Sequence, residues 1–89
     1  MPTEVALFKN YPDPFNPSTV IRYQLPEGNR VTLKIYNVLG QEVATLVNGT
    51  QDAGYKSVQF NADALPNGVY FYRLQVGAFY DVKKMIVAK

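Results

Sequence analysis

Side chains able to do chemistry are scarce in this 89-residue chain, and the missing ones decide much. There is no His and no Cys. That removes the usual proton shuttle near neutral pH, the commonest zinc ligand, the thiol nucleophile, thiolate metal sites and any disulfide. Ser18 and Ser57 are the two serines, and with no imidazole to activate them a Ser-His-Asp triad cannot be built. The seven acids are spread one per loop or strand end. Retaining glycosidases hold two carboxyls about 5–5.5 Å apart, and no spacing here sets up such a pair. Asn10, Asp13 and Asn16 offer oxygens close together, as do Asp52 and its neighbours. Calcium takes about six to eight oxygens, several from carboxylates. One Asp between two Asn is better used to cap turns around prolines. Lys83, Lys84 and Lys89 gather near the C-terminus, but three lysines do not make a nucleic-acid groove, and edge strands often carry lysine as a guard against aggregation. Asn48-Gly49-Thr50 matches the N-glycan acceptor pattern, while Pro17 blocks the same pattern at Asn16. The chain is therefore expected to be no enzyme, with no metal site and no tightly bound cofactor.

The bulk numbers agree. An apolar share of 47% with 18% charged residues suits a single globular core, and a net charge of +2 is too mild to call for nucleic acid or an anionic membrane. No apolar run approaches the ~20 residues of a membrane span. Met1-Pro2-Thr3-Glu4 has neither a basic region nor an apolar segment. Residues 1–4 are read as a linker or a start added to a piece of a longer chain, and residues 5–89 as one domain.

Strand signals dominate. Short runs rich in Val, Ile, Tyr and Phe are broken by Pro and Gly roughly every ten residues, the spacing of an all-β sandwich or barrel. The predicted strands are Val5–Asn10, Thr19–Leu25, Arg30–Val38, Glu42–Val47, Tyr55–Asn61, Val69–Val76 and Phe79–Val87. Ile21, Tyr23 and Leu25 alternate onto one face, as do Val31, Leu33 and Ile35, then Val58 and Phe60, then Tyr70, Tyr72, Leu74 and Val76. Gly77-Ala78 suits a two-residue turn with Gly first, and Gly40 suits a left-handed loop position. Residues 48–54 read as a polar loop. Pro12, Pro14 and Pro17 cannot sit in a central strand because each lacks a ladder donor. The Tyr11–Pro17 run and the Asp63–Gly68 segment read as sheet-to-sheet crossings. The architecture expected is a seven-stranded immunoglobulin-like β-sandwich with Greek-key elements, with a six-stranded barrel as runner-up.

Two local devices stand out. Leu65-Pro66-Asn67-Gly68-Val69-Tyr70 has the form of a tyrosine corner, in which a buried hydroxyl bonds back to main chain; Tyr70 is expected inside, with Gly68 at positive φ. The Asn10–Pro17 run is expected to be ordered, with Tyr11 and Phe15 as its apolar anchors. The last strand, as a terminal one, is expected at a sheet edge, open to strand addition by a partner.

Taken together, Leu7–Thr19, Val31–Val43, Gly68–Leu74 and Lys83–Val87 resemble the C-terminal sorting domain of type IX secretion substrates, also called the Por secretion system sorting domain. The resemblance runs from about Val5 to Lys89. Its most specific part is the run Asn10, Tyr11, Pro12, Pro14, Phe15, Asn16 and Pro17, followed in order by Gly68-x-Tyr70 and the terminal Lys83, Lys84 and Val87. Asp13 stands where that family usually has Asn. The same segments also resemble the immunoglobulin-like domain of flagellar hook-capping proteins. The sorting resemblance implies a non-catalytic address label joined to an N-terminal passenger. It further implies that outer-membrane machinery reads the folded domain, that a sortase-like signal peptidase then usually removes it, and that the passenger travels through the periplasm to the cell surface or beyond. A recognition element at the Lys83–Val87 end is also implied. The chain itself is expected to be a monomer. The runner-up is an accessory binding or spacer module on a secreted glycoside hydrolase, though sugar-binding modules often present Trp and this chain has none.

Overall fold

Period-two burial organises the molecule. The computed structural model describes residues 2–89, so Met1 of the segment 1–4 lies outside the described residues. Seven strands form: β1 Ala6–Leu7, β2 Ser18–Leu25, β3 Asn29–Tyr36, β4 Glu42–Gln51, β5 Gly54–Asn61, β6 Gly68–Val76 and β7 Phe79–Val87. They lie in two sheets, ordered β1-β2-β5 and β4-β3-β6-β7, with every strand pair antiparallel. This is the immunoglobulin-like sandwich, open-edged rather than a closed barrel. Its core is made of the expected alternating faces: Ile21, Tyr23 and Leu25 from β2, Val31, Leu33 and Ile35 from β3, and Tyr70, Tyr72, Leu74 and Val76 from β6, closed by Phe60, Met85 and Val87. Each large side chain moved from water to this interior is worth about 1.5–3 kcal/mol. A one-residue slip of any central strand would turn its whole set outward.

Several boundaries differ from those the sequence predicts. The first strand is two residues rather than Val5–Asn10. Ala6 and Leu7 face Gln24 and Tyr23, whereas Tyr11 faces Val20, one residue out of register. The extra residue is a bulge. Within it, the Tyr72 hydroxyl accepts from the Asn10 N–H at 2.9 Å and donates to the Phe8 carbonyl at 2.8 Å, taking the place of ladder partners. β3 stops at Tyr36 rather than Val38, because the Asn37 side chain accepts the N–H groups of Leu39 and Gln41 and starts a turn there. Gly40 takes φ +80° in that turn, as expected.

The predicted polar loop over 48–54 is mostly strand. β4 continues through Asn48–Gln51 opposite Thr32–Asn29, leaving only Asp52 and Ala53 as a connection. That short link is itself a sheet-to-sheet crossing, as is Pro26-Glu27-Gly28. The 63–68 segment crosses as predicted, but the proline run does not: β1 and β2, which it joins, are neighbours in one sheet.

The tyrosine corner forms as predicted. Tyr70 is 5% exposed, its hydroxyl donates to the Pro66 carbonyl at 2.8 Å, and Gly68 has φ +147°. Replacing Tyr70 by Phe removes the donor to the Pro66 carbonyl and leaves the ring in the core; Pro66 is itself exposed, so water can take the place of the hydroxyl. The expected loss is about 0.5–1.5 kcal/mol, read as a lower urea midpoint with an unchanged m-value. An unchanged midpoint would show that the corner is filled by packing alone.

Candidate functional site

With three prolines in its length, the run after β1 has few main-chain donors, and where each one goes defines the site. Pro12, Pro14 and Pro17 all follow cis peptide bonds. Tyr11 exchanges both of its main-chain bonds with Val20, at 3.0 and 2.9 Å. Four residues later the run has reached the other sheet. The Phe15 N–H donates to the Ile86 carbonyl at 3.0 Å, and the Phe15 carbonyl accepts from the Ala88 N–H at 3.1 Å, so Phe15 bridges Val87 in parallel on the outer edge of β7. The Phe15 ring is 2% exposed and meets Phe60 edge-on, with centroids 6.3 Å apart. The run is thus a clasp, starting on one sheet and closing on the edge of the other.

Side chains lock it. Asn10 is buried and donates through Nδ2 to Thr19 Oγ1 at 3.0 Å and to the Pro12 carbonyl at 3.3 Å; Thr19 donates to that same carbonyl at 2.8 Å. Asp13 Oδ1 accepts the Ile86 N–H at 2.9 Å. Lys9 Nζ pairs with Asp13 Oδ2, donates to the Lys84 carbonyl, and reaches Asn10 Oδ1 at 3.0 Å. Burial pushes the Asp13 carboxyl up. The Lys9 ammonium, the Ile86 amide and Asn10 outweigh it and hold the group below its ordinary value of 3.8.

The sequence-predicted residues converge only in part. Gly68 and Tyr70 lie directly opposite Val87 and Met85, so the tyrosine corner, the end of β7 and Phe15 meet at one corner of the sandwich. Tyr11 is not an anchor: it is 72% exposed, because its partner Val20 belongs to the outer row of β2 and directly opposed residues share a face. Pro12, Pro14 and Asn16 are exposed, and Pro17 is half-buried with its carbonyl accepting the Ala62 N–H. Lys83 and Lys84 are consecutive in a strand and so point to opposite faces; Lys83 lies 3.8 Å from Asp81, and Lys84 is exposed.

Four residues of the site were not signalled as such by the sequence. Asp13 serves β7 rather than a local turn, and Tyr72 serves the bulge. Thr19 is a buried hydroxyl in the row of Ile21, Tyr23 and Leu25, which is the one signal that could have marked it. The Lys89 N–H donates to Asn67 Oδ1 at 2.8 Å, and its ammonium donates to the Asp63 and Leu65 carbonyls, tying the chain end to the β5–β6 crossing.

β7 is an edge strand, as predicted, but part of its edge is taken. In a two-residue hairpin the main-chain groups of Tyr80, Val82, Lys84 and Ile86 point away from β6. Ile86 is filled by the clasp, the Lys84 carbonyl by Lys9, and the Val82 N–H by the Asp81 side chain. The Tyr80 N–H and C=O, the Val82 C=O and the Lys84 N–H have no partner among the described residues. No three acidic side chains among the described residues gather to hold a metal, and no helix there is long and apolar enough to cross a membrane.

Among known families, the model of the secretion system C-terminal sorting domain matches residues 9–88, which takes in the clasp and strands β2–β7. The chain belongs to this family, the non-catalytic sorting signal of type IX secretion, whose parent proteins are secreted or surface-attached. No curated protein and no solved structure matches the chain, and the likeness to hook-capping proteins has no counterpart in these comparisons.

The clasp has an acid-sensitive joint. A carboxyl held below its ordinary pKa contributes stability that is complete above that value and is lost as pH falls through the lowered one. Asp13→Ala leaves the Ile86 N–H without its partner and is expected to cost about 1–3 kcal/mol, with faster hydrogen exchange at Ile86 and Ala88. Asp13→Asn keeps an acceptor for Ile86, so protection from exchange there stays high and no longer falls as pH drops through the titration of the carboxyl. Unchanged exchange in Asp13→Ala would show that the clasp closes through Phe15 alone.

Proposed function

We propose that this sorting domain is read by the outer-membrane secretion machinery at the open half of the β7 edge, from Tyr80 to Lys84. The observation that supports this is the arrangement of that edge: the clasp fills it at Ile86, and beside it the Tyr80 N–H and C=O, the Val82 C=O and the Lys84 N–H have no partner among the described residues, at the regular spacing of the strand. An extended segment of a partner can add there as a further strand, main-chain bonds supplying affinity and the flanking side chains supplying choice. The exposed Lys84 discourages pairing with a second copy and favours a partner with acidic groups, so the domain works as a monomer. The clasp residues Asn10, Asp13 and Phe15, with Gly68, Tyr70 and Val87, act by fixing where the edge ends. The passenger lies N-terminal in the parent chain, and a sortase-like signal peptidase removes the domain once the passenger has crossed from the periplasm. The domain itself does no catalysis and holds no cofactor.

A fusion to a secreted passenger tests this. Lys83 forms one long, half-exposed ion pair, 3.8 Å from Asp81, and Lys84 forms none among the described residues; such a pair is worth about 0–1 kcal/mol. Lys83→Gln with Lys84→Gln is therefore expected to leave the thermal midpoint nearly unchanged while the passenger accumulates in the periplasm. Normal secretion of the double variant would overturn the site. So would unfolding of the domain, which would make β7 structural only.

A further inference from the structure

The outer face of the four-stranded sheet carries a charge arrangement that the clasp and the β7 edge do not explain. Lys34 on β3 and Arg73 on β6 are directly opposite. Like charges in that position destabilise an antiparallel pair. Lys34 has an acidic neighbour, Glu42, at 3.0 Å. Among the described residues Arg73 has no carboxylate partner: its guanidinium lies 5.1 Å from the Tyr80 ring centroid, and its Nε is buried without a hydrogen-bond partner.

Beside this guanidinium is a depression of about 170 Å³ lined by Thr32, Lys34, Tyr36, Arg73 and Gln75. A second, of about 260 Å³, is lined by Asn29, Arg30, Thr32, Gln75 and Gly77. They share Thr32 and Gln75, so together they run along β3 as one groove. Arg30, at its far end, donates to Asn48 and has no acidic neighbour within ion-pair distance among the described residues. Three cations line this groove and one carboxylate, Glu42, sits at its rim.

We propose that this groove binds an extended acidic peptide segment of a partner, with one carboxylate on Arg73 and Lys34 and a second on Arg30. Guanidinium and carboxylate match as a planar fork with two parallel bonds. Arg30 and Lys34 are four residues apart, about 13 Å along a strand, and residues i and i+4 of an extended peptide are separated by the same distance on one face. The residue between them sits over Thr32 and Gln75, where a hydroxyl or amide side chain finds both donor and acceptor. The fit is thus to a Glu-x-Ser-x-Glu pattern. No β7 main-chain group takes part, so this binding stands or falls separately from strand addition at Tyr80–Lys84.

The test is an NMR titration of the isotope-labelled chain at low salt with a capped Glu-Ala-Ser-Ala-Glu peptide. The expected result is saturable shifts at Thr32, Lys34, Arg73 and Gln75 that weaken as salt rises. Affinity falls at least tenfold in Arg73→Gln, and the Gln-Ala-Ser-Ala-Gln peptide does not bind. The thermal midpoint of Arg73→Gln stays level or rises, since a cross-strand repulsion is removed. Arg73→Lys, which keeps the charge but loses the fork, folds as the parent does and also binds several-fold more weakly. Inorganic phosphate and phosphatidylglycerol vesicles are run alongside. Binding of either with none of the peptide would overturn the peptide assignment. So would peptide shifts confined to β7, or an affinity indifferent to both Arg73 variants.

Discussion

A segment with prolines at 12, 14 and 17 cannot form a continuous sheet ladder, yet it must bury the Phe15 ring and satisfy its remaining amides. The molecule resolves this by spanning its two sheets. Tyr11 bonds to Val20 in one, and Phe15 bonds to Ile86 and Ala88 in the other. At the start of this span the Tyr72 hydroxyl, from the heart of the larger sheet, fills the gap at the bulge in the smaller one. Burial, opposed by the Asn10 amide and helped by Asp13 and Asp81, pushes that hydroxyl up to about 12. It therefore stays protonated through the physiological range, accepting from Asn10 and donating to Phe8 without ambiguity. Its contribution to stability is complete below the ordinary tyrosine value of 10 and fades only as pH rises toward 12.

How legible this was in the sequence depends on how local each cause is. The rows Ile21-Tyr23-Leu25, Val31-Leu33-Ile35 and Tyr70-Tyr72-Leu74-Val76 could be read because one face of each strand is buried and period two records it. The tyrosine corner could be read because donor and acceptor are four residues apart. The second half of β4 could not. Its inward positions are Gly49 and Gln51, and Gln51 faces the core to accept the Tyr23 hydroxyl, so no apolar period marks the strand. Asp13 reads as a turn cap in the sequence because its partner, Ile86, is distant along the chain. Phe15 and Tyr11 look alike as apolar anchors. Only the one-residue register shift at the bulge, a tertiary outcome, turns Tyr11 outward and leaves Phe15 to enter the core.

The two edges of the larger sheet differ in a way that bears on recognition. β4 shifts register twice against β3, near Lys34 and Tyr36, and such irregularities spoil an edge as a template. β7 pairs with β6 without a break from Phe79 to Val87. Its outward main chain is therefore evenly spaced up to the point where Asp13 and Phe15 occupy it. A regular edge that ends at a fixed place gives a partner strand both a register and a stop.

The open length is nonetheless too short to hold a partner through main chain alone. The Tyr80 N–H and C=O, the Val82 C=O and the Lys84 N–H can each add about 0.5–1.5 kcal/mol net. Association costs an estimated 4–15 kcal/mol in lost freedom before any contact is counted. Strand addition here can fix position and direction, but stable capture needs side-chain surface as well. The strand supplies some: Tyr80 and Val82 are exposed and stand on the same face as Lys84, with the Tyr80 ring already backed by Arg73. Tyrosine over a guanidinium is a preorganised contact that loses little freedom when a second surface covers it. The edge and the outer sheet face meet at this one ring, so a partner that pairs with β7 necessarily lies beside the cationic face of β3 and β6.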